Sequence, residues 1–183
     1  VKTLDLTKLS KYHVEREIRT VCGGYINEKK WLSGFNIGIG GLMFTDTKGS
    51  NTPEKYKVVL ANYKNGIGLY FRNVHSNYLV LIAKDKIRKI EIIKEKDVIK
   101  PMKLSIFNLL LKVGFPSEKA VGYLAPNEII SENPAFCIIK TEDYFIQLQL
   151  EKTSPQKLVS TLKKSDFNEF VHENINKPEI LRS

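Results

Sequence analysis

The stretch WLSGFNIGIGGLMFT, Trp31 to Thr45, holds four glycines between Gly34 and Gly41. It can be read as a phosphate-cradling loop, a membrane segment or a piece of sheet, and the choice decides the fold. A phosphate loop needs Gly-x-x-x-x-Gly-Lys-Ser/Thr between a strand and a helix, so that backbone N–H groups and a lysine meet the phosphates. No lysine follows these glycines, and Leu42 to Thr45 continue as strand. A dinucleotide fingerprint opens a helix with Gly-x-Gly-x-x-Gly; GIGGLM lacks the third glycine and any helical face. A membrane span takes about 20 apolar residues, whereas this run is short and contains Asn36. Sheet remains. Ile37, Ile39, Gly41 and Met43 alternate with Gly38, Gly40, Leu42 and Phe44, which predicts a strand from Phe35 to Thr45. Its glycines permit a sharp bend or a close backbone approach.

Working outward, residues 17–26 (EIRTVCGGYI) also alternate and read as a strand broken by glycine. KYKVVLAN, GIGLYFR and NYLVLIA read as three more strands, separated by the turn signals YKNG and NVHS. KDKIRK turns the chain into the strand KIEIIKE. The rhythm breaks over residues 101–134: PMKLSIFNLLLKVGF fits a short helix, and the three-proline segment after it has no period. AFCIIK and YFIQLQLE form a hairpin around Glu142 and Asp143. Ser154 is a good N-cap with Pro155 behind it, and Leu158, Val159 and Leu162 make an apolar helix face. Ser165 or Asp166 can cap a second short helix carrying Phe167, Phe170 and Val171, so residues 154–175 read as one or two capping helices. The expected fold is a single domain over residues 1–183, mainly β. It is a partly open, bent antiparallel barrel or sandwich capped by the C-terminal helix, with an insertion at 101–134. Cys22, Ile37, Ile39, Leu79, Leu81, Ile138, Ile146, Leu148 and Leu162 are its expected common core.

Charge is unevenly spread. Of 29 basic and 20 acidic residues, the first 103 positions hold 20 basic and 10 acidic, so the whole excess of +9 lies there. A basic face attracts phosphates of lipid or nucleic acid, or simply keeps the surface solvated. Cys22 and Cys137 match no metal spacing. Two buried, reduced thiols are expected, with a single disulfide as the alternative. The start is polar, without the apolar core of a signal peptide, and it opens on Val1 rather than Met, as in a chain whose upstream segment has been removed.

Catalytic signals are weak. His13, His75 and His172 are isolated, no Gly-x-Ser-x-Gly elbow occurs, and the carboxylates of KTEDY sit where a hairpin turn expects them. No metal, cofactor or catalytic residue is assigned. Two basic groups are the candidate sites. Lys29 and Lys30 are followed at once by Trp31 and Leu32, a set suited to a membrane interface, with indole at headgroup depth and lysines on anionic phosphates. The alternative is that Trp31 is packed and the lysines are solvated. KDKIRK supplies Lys84, Lys86, Arg88 and Lys89, a binding patch or a charged turn. KLSIFNLLLKVGF, with Lys103 and Lys112 near its ends, either lies on a membrane or covers the end of the sheet; its length favours covering.

GGLMFTD, YLVLIAKDKIRKIEI and FCIIKTEDYFIQLQLEKTSPQKLVSTLKK together resemble the pleckstrin-homology-like superfold, in particular its GRAM and bacterial variants. The likeness spans most of residues 17–165. It implies a bent barrel capped by a helix and a role in binding phosphoinositides, other anionic lipid or proteins. Lys29 and Lys30 match part of the family's basic signature, but no arginine completes it. The expected function is therefore non-catalytic binding, to an anionic membrane or a protein partner, in or at the edge of the cytoplasm. The alternatives are a nucleic-acid binder using the basic half and an intracellular enzyme with a site in 101–134. Against the first, aromatics do not interleave with cations on one strand.

Overall fold

From Gly38 onward the glycine run is sheet, and residues 31–37 of it lie outside the described residues. The computed structural model describes residues 1–26, 38–46, 54–101, 105–125, 128–164, 166–177 and 179–180. Strand β2 (Gly38–Asp46) pairs antiparallel with β3 (Glu54–Tyr63), and the pairing steps from Ile39–Leu60 to Leu42–Val58. Gly40 and Gly41 thus oppose one residue, a bulge. Gly41 has a left-handed φ of 79°, and its carbonyl accepts from the N–H of Glu151 at 2.9 Å and of Lys152 at 3.1 Å. A Cβ there would lie 2.8 Å from that of Lys152, so the bend that brings residues 151 and 152 onto β2 requires glycine.

The chain divides into two compact units, Val1–Ile93 with Ala135–Glu173, and Lys94–Pro134 with Asn174–Ser183. The first is built on a nine-stranded sheet. β3 leads through β4 (Gly66–Arg72) to β5 (Asn77–Ala83), the meander marked by the turn signals, and β5 also pairs with β1 (Lys2–Asp5). On the other side of β2 come β10 (Phe145–Leu150), β9 (Ala135–Thr141), β6 (Ile87–Lys94) and β11 (Val171–Ile175). From β1 across to β9 every pairing is antiparallel. The sheet is mainly antiparallel but open. β1 and β11 are its edges and do not pair with each other, so the expected barrel is not closed.

Residues 17–26 are not a strand. Helix α1 (Lys11–Cys22) runs through them, with the Ser10 hydroxyl accepting from the N–H of His13 at its start. Gly23, at φ 69°, stops it and donates its N–H to Arg19. Val14, Ile18, Val21 and Cys22 follow the helical period, and that stripe packs on Leu4, Ala61, Tyr63, Leu79 and Leu81. The glycine pair read as a strand break is the helix stop. The opposite sheet face, by register, carries Ile39, Leu42, Val58, Leu60, Leu69, Ile82, Cys137, Ile139 and Leu148, all buried. The single expected core therefore divides. Cys22 on α1 packs with Leu79 and Leu81 beneath it, Ile39 and Leu148 lie on the other face, and Ile138 and Ile146 are half-buried. Ile37 is outside the described residues. Strands apolar on both faces conceal this division, because no alternation marks which residue faces which layer.

The C-terminal helix is present, over Pro155–Lys163, with Ser154 as its cap and Leu158, Val159 and Leu162 buried. A second α-helix is not found among the described residues, and Ser165, one of its expected caps, lies outside them. After a single 3-10 turn at Asn168–Phe170 the chain becomes β11, because pairing beside β6 at the sheet edge outweighs the helical spacing of Phe167, Phe170 and Val171.

The second unit holds a small sheet in which β7 (Val98–Ile99) lies between β8 (Ile129–Ser131) and β12 (Glu179–Ile180). Helix α2 (Ile106–Lys112), the short helix expected in PMKLSIFNLLLKVGF, begins at Ser105, whose hydroxyl accepts from the N–H of Asn108 at 3.1 Å. One further turn, α3 (Ser117–Ala120), follows. Ile99, Phe107 and Ala120 form the core, with Leu110, Leu111, Val121, Leu124 and Ile180 against it. The unit starts at Lys94 and includes the chain's C-terminal residues, so it is wider than the expected 101–134 insertion.

Candidate functional site

The first candidate patch is assembled, and each of its cations already has a carboxylate partner. Lys84 and Lys86 sit on a single 3-10 turn between β5 and β6, and Arg88 and Lys89 follow on β6. Lys84 pairs with Glu169 at 3.1 Å and lies 5.7 Å from the centre of the Phe170 ring. Lys86 reaches Glu142 Oε2 at 3.6 Å, and Arg88 Nη2 donates to Glu142 Oε1. Lys89 pairs with Glu91 at 2.6 Å, and Lys140 takes the other oxygen of Glu91 at 2.7 Å. The pair of cations beside Glu142, Arg88 foremost, holds its carboxyl below the usual range. Hydrogen bonds from Lys140 and then Lys89 hold Glu91 at about 2. Each carboxylate weakens the field of the cations it holds, and Glu142 and Glu91 are each shared by two. The arrangement ties β6 to β9 and to the hairpin turn; it does not present four unmatched cations.

Lys29, Lys30, Trp31 and Leu32 lie outside the described residues. His75 and His172 are exposed, and His13 lies 3.6 Å from Glu17 on the same helix. Cys22 and Cys137 are buried free thiols, both pushed up to about 12 by burial, which keeps them unreactive. The Tyr63 and Tyr70 hydroxyls share a hydrogen bond of 2.7 Å beneath α1, where burial raises both pKa values. That pair satisfies two polar groups inside an apolar layer. Among the described residues no three His, Cys, Asp or Glu side chains are grouped to hold a metal, and no helix is long and apolar enough to cross a membrane.

The second unit has a different surface. α2 is apolar on two sides. Phe107 is fully buried and Leu110 and Leu111 pack beside it, while Ile106, Leu109 and Val113 point outward with 62, 62 and 72% of their surface exposed. These three fall at i, i+3 and i+7, one helical stripe. Phe115, just past the helix, is exposed as well. Lys112 closes the last turn of α2, Lys100 follows core residue Ile99, and Lys119 precedes core residue Ala120. All three lysines are exposed and pair with no carboxylate among the described residues. Between Val98 and Asn127 the sequence has four lysines, Lys103 being the fourth, and one acidic residue, Glu118. By sequence this segment either lies on a membrane or covers the sheet, with covering favoured, and an apolar run without a period cannot say which side chains face inward.

Compared with known proteins, the chain matches no protein family, no curated protein and no solved structure.

Proposed function

We propose that this protein is a non-catalytic module that associates peripherally with anionic membranes through α2 and the lysines beside it. The exposed stripe of Ile106, Leu109 and Val113 carries this reading, because a helix face of three large aliphatics with lysines and almost no acidic residues fits the boundary between headgroups and acyl chains. Completing the burial of each aliphatic contributes about 1–2 kcal/mol. Each lysine near an anionic surface adds about 1 kcal/mol. The two contributions are of similar size, so binding needs both. Lys29, Lys30, Trp31 and Leu32, adjacent in sequence, would add a second contact of the same chemistry.

For the fold, the reading retains a relation to the pleckstrin-homology-like superfold. It is supported by the meander β2 to β5, the turn into β6, and the β9–β10 hairpin leading into the C-terminal helix. β1, α1 and β11 are additions to that pattern.

Co-sedimentation with vesicles tests the function. The full chain should pellet with vesicles containing phosphatidylserine, much less with phosphatidylcholine alone, and less again as salt rises, since exposed charges are screened over about 10 Å at 0.1 M. Light scattering on the same samples covers the alternative occupants. A protein that ignores both vesicle types and forms a dimer dissociated by Leu109→Asp would assign the face to a second copy instead.

A further inference from the structure

α2 cannot enter a bilayer as a free helix. Phe107 is locked in the core of its unit, with Leu110 and Leu111 beside it, so the helix backbone is held at the surface of the unit. The large apolar side chains that reach outward here are Ile106 and Leu109 of the seven-residue helix, Val113 at its C-cap and Phe115 after it. The result is a low apolar ridge, about one side chain tall. Its charge is also limited. The described lysines, Lys100, Lys112 and Lys119, fall below the range of about four to eight cations that hold a polybasic segment on anionic lipid by charge.

We infer, resting on the membrane reading above, that the target of this face is an anionic bilayer with loosely packed acyl chains, curved or rich in unsaturated lipid, rather than any anionic surface. Where headgroups are tightly packed, acyl carbon lies deeper than the ridge can reach, and only the lysines engage. Where curvature opens gaps between headgroups, acyl carbon comes within reach of Leu109 and its neighbours. Interfacial binding grows with apolar area buried and is sensitive to curvature and composition for this reason. The seven-residue length and the anchoring by Phe107 make the dependence on gaps stronger than for a long helix that can sink into the interface by itself.

The test uses the full chain and vesicles of one composition, phosphatidylcholine with a fixed fraction of phosphatidylserine, prepared small and highly curved or large and nearly flat. At equal accessible lipid, binding should be about tenfold tighter to the small vesicles. Leu109→Ser should lower binding to the small vesicles to the level of the large ones. Leu109 is exposed, so its circular dichroism melt should match wild type; Ile106→Ser serves as a second variant. Equal binding of wild type to both sizes would overturn the preference for loose packing and leave the membrane reading standing. Binding to neither size would overturn both. A size preference that survives Leu109→Ser and Ile106→Ser would remove α2 from the account.

Discussion

Lys86 and Arg88 converge on one carboxylate, Glu142, while Lys100, Lys112 and Lys119 belong to a segment in which Glu118 is the one acidic residue. Both regions look basic in sequence, and KDKIRK is the denser of the two. The structure separates them by where their carboxylates lie. Around β6 and the β9–β10 hairpin, cations are spent on Glu142 and Glu91, and they fasten strands together. In the second unit Lys100, Lys112 and Lys119 are exposed and unmatched among the described residues, and Lys112 directly precedes Val113 of the apolar stripe. A run of lysines is therefore weak evidence for an anion site until its carboxylates are located, and an apolar helix is weak evidence for core until its outward face is known.

The strongest way to break this comparison is to exchange the two faces of α2. Phe107→Ala should destabilise the protein by about 3–5 kcal/mol, the range for deleting a buried aromatic side chain, measured by urea denaturation. A loss under about 1 kcal/mol would mean that the inward face of α2 is not core. On the outward face, Ile106→Asp with Leu109→Asp should leave the melt nearly unchanged, as exposed substitutions do. The same pair should weaken binding to phosphatidylserine vesicles at least about 30-fold, from about 1–2 kcal/mol per aliphatic. A large fall in melting temperature with intact vesicle binding would invert the assignment of the two faces.

The matched region gives a smaller, pH-dependent effect. Lys140 and Lys89 hold the Glu91 carboxyl at about 2, against an ordinary 4.5. A carboxylate depressed in the folded state contributes stability that is fully present above its unfolded pKa and lost as pH falls through the folded one. Glu91→Gln should therefore be less stable than wild type at neutral pH. The difference should shrink as pH drops from 4.5 toward 2. A stability difference that stays constant across that window would show that Glu91 acts through packing alone, without its charge.

Local signals carried much of the fold. The alternation around Gly38 to Thr45, the turn signals between β3, β4 and β5, and the Ser154–Pro155 start of the last helix each depend on neighbours a few residues away. Where the reading failed, a distant partner decided. Ile18 and Cys22 fit a strand or a helix, and the layer of Leu79 and Leu81 beneath them selects the helix. Phe167 to Val171 fit a helix until β6 offers an edge. The candidate sites follow the same rule. Glu142 lies 54 residues from Arg88, so no local pattern could reveal that Arg88 is paired. Ile106, Phe107, Leu109, Leu110 and Leu111 are equally apolar, and only contact with Ile99 and Ala120 sorts the buried from the exposed.

The most direct measurement sets one charge reversal against the other. Lys112→Glu with Lys119→Glu and, separately, Lys86→Glu with Arg88→Glu are titrated with the same small phosphatidylserine-containing vesicles as wild type. Each pair changes the net charge equally, so overall electrostatics cannot distinguish them. If the unmatched lysines beside α2 make the contact, the first pair should bind at least about 30-fold more weakly, from about 1 kcal/mol per lysine removed. The second should stay within about threefold of wild type, because its charges lie outside the contact and are screened. Equal losses for both pairs, or a larger loss for Lys86→Glu with Arg88→Glu, would contradict the account.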